Sequence, residues 1–167
     1  MHTNTKENGF ETIIVNWLVQ QNHYEQGINA DFNQDYAIDE VRLFRYLNDT
    51  QAEILKELRI LDNAAEKKRF LDRLSKKISD DGVVEVLRKP FKYKHKSLDL
   101  YMVLPSDGNK EASEQYEKNI FSVTRQLQYS KQHGRRALDM TIFLNGLPIM
   151  TFELKNQLTK QNVHDAI

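Results

Sequence analysis

Residues 136–156 read RALDMTIFLNGLPIMTFELKN. Two apolar runs rich in β-forming residues, Leu138–Leu144 and Pro148–Lys155, flank the pair Asn145-Gly146. An Asn-Gly pair between two such runs is a strong signal for a β-hairpin. The stretch therefore predicts two antiparallel strands joined by a short loop, and the rest of the chain is interpreted around this hairpin.

Three charged side chains, Asp139, Glu153 and Lys155, interrupt the apolar runs. A charge inside a buried strand is costly unless it is paired or holds a metal ion. Because side chains along a strand alternate between its two faces, Glu153 and Lys155 share one face. Whether Asp139 joins them depends on the length of the loop.

The loop determines how the two strands are aligned. A two-residue turn would put Asp139 and Glu153 on opposite faces. A three-residue loop of residues 145–147 pairs Leu144 with Pro148 and sets Asp139 opposite Glu153, so that the three charges converge. We predict this odd-length loop, or a β-bulge with the same effect.

Two carboxylates on opposed strand positions lie about 5 Å apart at Cβ and repel each other when ionised. A hard divalent cation such as Mg²⁺ removes that repulsion, since carboxylate oxygens are the ligands it prefers. Asp139 and Glu153 as metal ligands, with Lys155 to orient a water or to stabilise charge on a phosphate, predict phosphodiester hydrolysis. The alternative is a surface salt bridge on an edge hairpin, but the position of the charges within apolar strands favours a metal site.

The amino-acid sequences of three segments resemble those of a known family. They are NIFSVTRQLQYS at 119–130, NGLPI at 145–149 and FELKNQLT at 152–159. The pattern resembles the PD-(D/E)XK nuclease superfamily, and in particular the N-terminal nuclease domain of the restriction (R) subunit of type I restriction-modification enzymes. The resemblance covers roughly residues 83–167 and, more loosely, the first helix; Leu138 stands where the superfamily name has proline.

The resemblance implies an α/β fold with a mixed, mainly antiparallel central sheet flanked by helices, as in restriction endonucleases. It implies a Mg²⁺-dependent DNA endonuclease, with Mn²⁺ as a possible substitute, that has no sequence specificity of its own. Asp139 and Glu153 would hold the metal, with the backbone carbonyl of Leu154 as an extra ligand. An acidic residue of the first helix lies near the metal in this family, and Glu11 is the matching position; the alternative is that Glu11 complements the helix dipole.

The resemblance also implies the partners. They are double-stranded DNA and the specificity and methylation subunits of a restriction-modification complex. ATP belongs to the motor of the full-length family member, and this chain contains no Walker-type phosphate loop. We expect residues 1–167 to be one endonuclease domain and a fragment, without the C-terminal helix and motor that follow in the family. The rival interpretations are a non-catalytic docking module with the same fold and another nuclease of the superfamily.

Coarse periodicity predicts the other elements. The spacing of Phe10, Ile13, Ile14, Trp17 and Leu18 is that of a helix. Residues 36–78 are rich in helix formers and predict a helical insertion of three helices. Strands are expected at residues 83–87, 98–104 and 122–129; in the last of these, alternation places Arg125 and Gln126 on opposite faces.

Two basic segments are candidates for contact with the DNA backbone. Lys131, Arg135 and Arg136 lie just before Asp139, and arginine can grip a phosphate with two hydrogen bonds. Lys94 lies in the basic, aromatic segment 89–96, for which the alternative is an exposed hairpin tip kept soluble by lysines.

Composition sets the outer limits. The 24 lysines and arginines balance 24 aspartates and glutamates, so nucleic-acid binding would depend on local patches. The absence of cysteine excludes disulfides and thiolate metal sites. With no apolar run near 18 residues and no signal peptide, the sequence predicts a cytoplasmic protein without a membrane partner.

Overall fold

A computed structural model describes residues 7–106, 108–130 and 136–154 of the chain. The helices are α1 (Glu7–Asn22), α2 (Glu40–Glu57), α3 (Ala64–Asp81), α4 (Val83–Arg88) and α5 (Lys110–Tyr116), with a 3-10 turn at Asn29–Asp31. The strands are β1 (Glu25–Gln26), β2 (Phe32–Asn33), β3 (Ile38–Asp39), β4 (Phe91–Tyr93), β5 (Lys96–Leu98), β6 (Phe121–Gln128), β7 (Ala137–Leu144) and β8 (Leu147–Phe152).

The central sheet has four strands in the order β1-β6-β7-β8. The short strand β1 runs parallel to β6, and the other two pairs are antiparallel. Two small hairpins, β2–β3 and β4–β5, lie outside this sheet. The predicted α/β class with a mixed, mainly antiparallel sheet flanked by helices is confirmed.

The turn of the β7–β8 hairpin has two residues. Asn145 and Gly146 both have positive φ, 51° and 81°, and Leu144 is paired with Leu147. Positive φ at both central residues is the geometry of a type I′ turn, whose twist matches that of the flanking strands. The three-residue loop, with Leu144 opposite Pro148, is therefore wrong.

A β-bulge in β8 restores the alignment that the longer loop would have given. Phe143 is opposite Pro148, but Ile142 is opposite Met150, so Ile149 is the extra residue. The shifted register continues to the pair Met140 and Phe152. The bulge is the second form of our prediction and is confirmed; one further step along this register sets Asp139 against the residue that follows Phe152.

Helix α1 lies against the sheet, as expected. Its Val15 forms a buried cluster with Val123 of β6 and Met140 of β7. Three of the apolar residues that predicted the helix do not contribute to this core, since they remain largely exposed: Phe10 (58%), Ile13 (64%) and Trp17 (58%). By contrast Glu11, a charged residue on the same helix, is only 1% exposed.

The segment 36–78 forms two helices where three were predicted. Helix α2 runs through the expected break between the first two and is only kinked, at Gln51, where the backbone leaves helical geometry (φ −145°, ψ 37°). Helices α2 and α3 share a core with Leu144 and Leu147 at the tip of the β7–β8 hairpin. Whether this segment is an insertion relative to its relatives stays a prediction.

Two predicted strands are wrong in whole or in part. Residues 83–88 form helix α4, which buries Val86 and Leu87 against the α2–α3 core. The preceding Gly82 (φ 85°) ends α3 and lets the chain change direction directly into α4. Strand β5 ends at Leu98, so the strand expected over 98–104 is absent from the described part of the chain beyond that residue.

Strand β6 lies where residues 122–129 predicted it, within one residue at each end. Among the described residues, no helix is long and apolar enough to cross a lipid bilayer.

Candidate functional site

Asp139 lies on β7, and each of its two carboxylate oxygens accepts a hydrogen bond from a neighbouring part of the chain. Its Oδ2 accepts a hydrogen bond of 2.6 Å from the backbone N–H of Leu154, two residues beyond the end of β8. Its Oδ1 accepts a hydrogen bond of 3.3 Å from the side-chain amide Nε2 of Gln126 on β6. The carboxylate therefore joins the two strands that flank β7 at their open end, away from the hairpin turn.

Glu153 follows the last residue of β8 and is exposed. The hydrogen bond between Leu154 and Asp139 brings the backbone of this segment against the Asp139 carboxylate. The structure thus brings the predicted acidic pair to the same end of the hairpin. Lys155, the third predicted catalytic residue, lies outside the described residues.

Glu11 reaches the same region from helix α1. Its Oε2 pairs with the guanidinium of Arg125 at 3.2 Å, and its Oε1 accepts a hydrogen bond of 2.9 Å from Nε2 of Gln126. Both carboxylate oxygens therefore have partners within the protein. Glu11 is close to Asp139 through a shared donor, and each of the two carboxylates is ordered by Gln126.

Two functional candidates escaped the sequence reasoning. Arg125 and Gln126 contact the same carboxylate, although regular alternation would send neighbouring side chains to opposite faces. The expected alternation is therefore wrong at Gln126, where the backbone has a φ of 47°. The only sequence signal for these two residues was that they are adjacent polar residues in a partly apolar strand. The residue types did not predict the backbone conformation at Gln126.

The chemistry of the donors suits a hard cation. Asp139 and Glu153 offer carboxylate oxygens, and the peptide of Leu154 offers a carbonyl. Within the described residues no group of three or more His, Cys, Asp or Glu side chains is arranged to hold a metal ion. A cation at this position would thus be held by two carboxylates together with backbone or water oxygens. These are the predicted ligands Asp139, Glu153 and Leu154, and Glu11 would not be among them.

The predicted DNA-contact residues differ in their surroundings. Arg136 is exposed and lies immediately before β7, on the chain segment that leads to Asp139. Lys94 lies at the tip of the β4–β5 hairpin, pairs with Glu66 of α3 and covers the ring of Tyr93 at 5.7 Å. Lys131 and Arg135 lie outside the described residues. Among the described candidates, Arg136 is the nearest in sequence to Asp139.

A mixed four-stranded sheet flanked by helices, with carboxylates gathered at one end of its hairpin, is compatible with a nuclease-like α/β domain. The sequence model of the family described as "Type I restriction enzyme R protein N terminus (HSDR_N)" matches residues 4–167, and the chain belongs to this family. No curated protein and no solved structure matches the chain.

Proposed function

We propose that this chain is the Mg²⁺-dependent endonuclease domain of a type I restriction enzyme R subunit, which hydrolyses DNA phosphodiester bonds. The observation that carries the proposal is the hydrogen bond from the Leu154 N–H to Asp139. It holds the Asp139 carboxylate beside the segment that bears Glu153, inside a chain that belongs to the R-protein family.

The metal would be held by Asp139, Glu153 and the carbonyl of Leu154. A carboxylate oxygen that accepts one hydrogen bond keeps a second lone pair, so the bonds to Asp139 leave it able to act as a ligand. When bound, Mg²⁺ or Mn²⁺ polarises a phosphoryl oxygen and lowers the pKa of a coordinated water. The net negative charge of the two carboxylates is what would draw the cation to this end of the hairpin.

The remaining roles belong to the chain's basic groups. If the chain is extended here, Lys155 would share a face with Glu153, and its amine would orient the attacking water or stabilise the charged transition state. Arg136, with Arg135 and Lys131 before it in sequence, would bind the phosphate backbone. Such contacts position DNA without reading bases, so sequence specificity would come from the specificity and methylation subunits. ATP would serve a motor region of the full-length R subunit.

Plasmid nicking tests the proposal. The full-length R subunit, assembled with its partner subunits, should nick supercoiled DNA in Mg²⁺. The variants Asp139→Ala, Glu153→Ala and Lys155→Ala should each lose at least about 100-fold in rate, as expected when a group that stabilises the transition state is removed. Asp62→Ala removes an exposed carboxylate outside the site and is the matched control.

Binding of DNA separates the proposal from its rival. With Ca²⁺ in place of Mg²⁺, the three variants should still bind DNA within a few-fold of the parent. If the parent cuts no faster than the variants while all of them remain folded, the chain is a docking module and the nuclease assignment is wrong.

A further inference from the structure

We propose that Gln126 is a positioning residue, which holds the carboxylate of Asp139 in place for a cation. The inference rests on the proposed nuclease function, because it assigns a role to a further residue of the same site. It starts from one nitrogen atom: Nε2 of Gln126 donates to Oε1 of Glu11 at 2.9 Å and to Oδ1 of Asp139 at 3.3 Å.

The backbone at Gln126 is arranged to make this contact possible. Ladder pairs are present on both sides, at Arg125 with Met140 and at Leu127 with Leu138. Between them, Gln126 adopts a φ of 47°, in the left-handed region that disfavours residues with a Cβ atom. This local rotation turns the Gln126 side chain toward the carboxylate that Arg125 also contacts.

Asn29 holds the strained segment from the edge of the sheet. Its Nδ2 donates to the carbonyl of Gln126 at 3.1 Å, and its Oδ1 accepts a hydrogen bond of 2.7 Å from the N–H of Gln128. Such strain persists where the surrounding structure over-determines the backbone, and it is concentrated at functional sites. The 3-10 turn that contains Asn29 therefore supports the site without touching either carboxylate.

A glutamine is suited to this position because its amide is neutral and carries two hydrogens. The guanidinium of Arg125 compensates the charge of the buried Glu11. Gln126 can then order Glu11 and Asp139 together without adding positive charge. A lysine or arginine in its place would orient Asp139 equally well but would oppose the binding of a cation there.

Two variants separate the side chain from the strained backbone. Gln126→Gly removes the amide and accepts the positive φ, whereas Gln126→Ala removes the amide and keeps the strain. We expect the Gly variant to melt about 2–4 °C above the Ala variant. We expect both to bind Mn²⁺ about 10-fold more weakly than the parent in calorimetry, as is typical when a partner of a metal ligand is lost.

The weaker metal binding should also appear in catalysis. Both variants should need more Mg²⁺ for nicking, while their affinity for DNA stays the same. The Mg²⁺ concentration for half-maximal nicking should rise about 10-fold in both variants, while the Kd for DNA in Ca²⁺ stays unchanged. Gln128→Ala, on the same strand and with an exposed side chain, is the matched control and should behave as the parent. If the parent cuts DNA and both Gln126 variants need the same Mg²⁺ concentration as the parent, the positioning role of Gln126 is wrong. The proposed nuclease function would be unaffected by that result.

A third readout needs no metal. In the metal-free chain, the Leu154 N–H should exchange with solvent at least about 10-fold faster in Gln126→Gly than in the parent, because Asp139 loses one of the two bonds that orient it. If the parent neither binds metal nor cuts, the proposed function fails, and this exchange rate alone decides the positioning role. Unchanged exchange would overturn it.

Discussion

The N–H of Asp39 donates a hydrogen bond of 2.9 Å to the carbonyl of Gly146. In the opposite direction, a Cβ atom added to Gly146 would lie 2.3 Å from the carbonyl oxygen of Asp39. Asp39 caps the N-terminus of helix α2, and Gly146 is the second residue of the turn between β7 and β8. The tip of the hairpin therefore packs against the start of helix α2 through direct backbone contacts. These contacts join two parts of the chain that are distant in sequence.

Gly146→Ala should be strongly destabilising. The substitution adds strain at a φ of 81° and overlaps the Asp39 carbonyl and the Leu43 nitrogen, which would lie 2.6 Å from the new atom. Gly82→Ala is the matched control, because Gly82 has a φ of 85° and nothing lies within 4 Å of its added Cβ. We expect the control to cost about 1–3 kcal/mol of unfolding free energy and Gly146→Ala to cost distinctly more. Equal urea midpoints for the two variants would contradict the close docking.

Removing one partner of the Glu11–Arg125 pair should have unequal effects. Glu11 is buried, whereas the side chain of Arg125 is 28% exposed and can turn toward water. Arg125→Met should lower the free energy of unfolding by about 3–5 kcal/mol, since it leaves a buried carboxylate without its charged partner. Glu11→Gln should cost about 1–2 kcal/mol, because the amide retains the size of the side chain and part of its hydrogen bonding. Denaturation in urea measures both, and a larger loss for Glu11→Gln would reverse the argument.

Arg42 should be a strong stability determinant. Its side chain is 8% exposed, and its guanidinium binds Asp39 at 2.7 Å, Asp31 at 2.9 Å and Glu25 at 3.1 Å. Arg42→Met leaves Asp39 and Asp31 without this cation, while Glu25 keeps Arg45, and should cost about 3–5 kcal/mol of unfolding free energy. Arg45→Met, on the same helix, removes an ion pair with Glu25 whose arginine is 43% exposed, and should cost at most about 1 kcal/mol. Similar losses for the two arginines would show that burial does not govern this cluster.

Glu40 should make stability depend on pH in the acid range. Burial alone would raise its pKa, but hydrogen bonds from Lys67 and Asn33 outweigh burial and bring the pKa below its ordinary value of 4.5. A carboxyl whose pKa is lower in the folded state stabilises the fold above its unfolded pKa, and this contribution is lost as the pH falls through the folded value. Glu40→Gln should thus lose about 1 kcal/mol at pH 7 and show a shrinking difference from the parent below pH 4.5.

The control for this pH effect is Glu53→Gln, which removes one exposed negative charge from the same helix. Thermal or urea unfolding at a series of pH values from neutral to acid gives the comparison. A Glu40→Gln deficit that stays constant across that series would show that the ionised carboxylate is not what matters at this position.

The hairpin was predictable because its signal is local. Asn-Gly between two apolar runs predicted the β7–β8 ribbon, and the two-residue turn follows from the freedom of both residues to take positive φ. The convergence of the charges demanded an odd offset between the strands, which predicted either a three-residue loop or a bulge; the structure has the bulge. What the sequence could not give was the choice between loop and bulge, since Ile149 has no residue-type signature of a bulge.

The misassigned elements depended on tertiary context. Residues 83–87 are rich in valine and carry β propensity, yet they form helix α4 because Val86 and Leu87 pack against neighbouring helices. Gln126 was missed because its left-handed backbone is imposed by Asn29, almost a hundred residues earlier in the chain. Glu11 was found only through resemblance, since a charged residue within an apolar helical stretch carries no mark of burial.

The bulge at Ile149 has a consequence for how this chain tolerates change. Ile149 opposes no residue of β7, and the pairs on either side of it, Phe143 with Pro148 and Ile142 with Met150, are consecutive on β7. Deleting Ile149 would remove the bulge and leave Met150, Thr151 and Phe152 opposite the same residues of β7, whereas deleting Thr151 would move Phe152 out of its pair with Met140. Loss of one codon should therefore be tolerated at position 149 and disruptive at position 151.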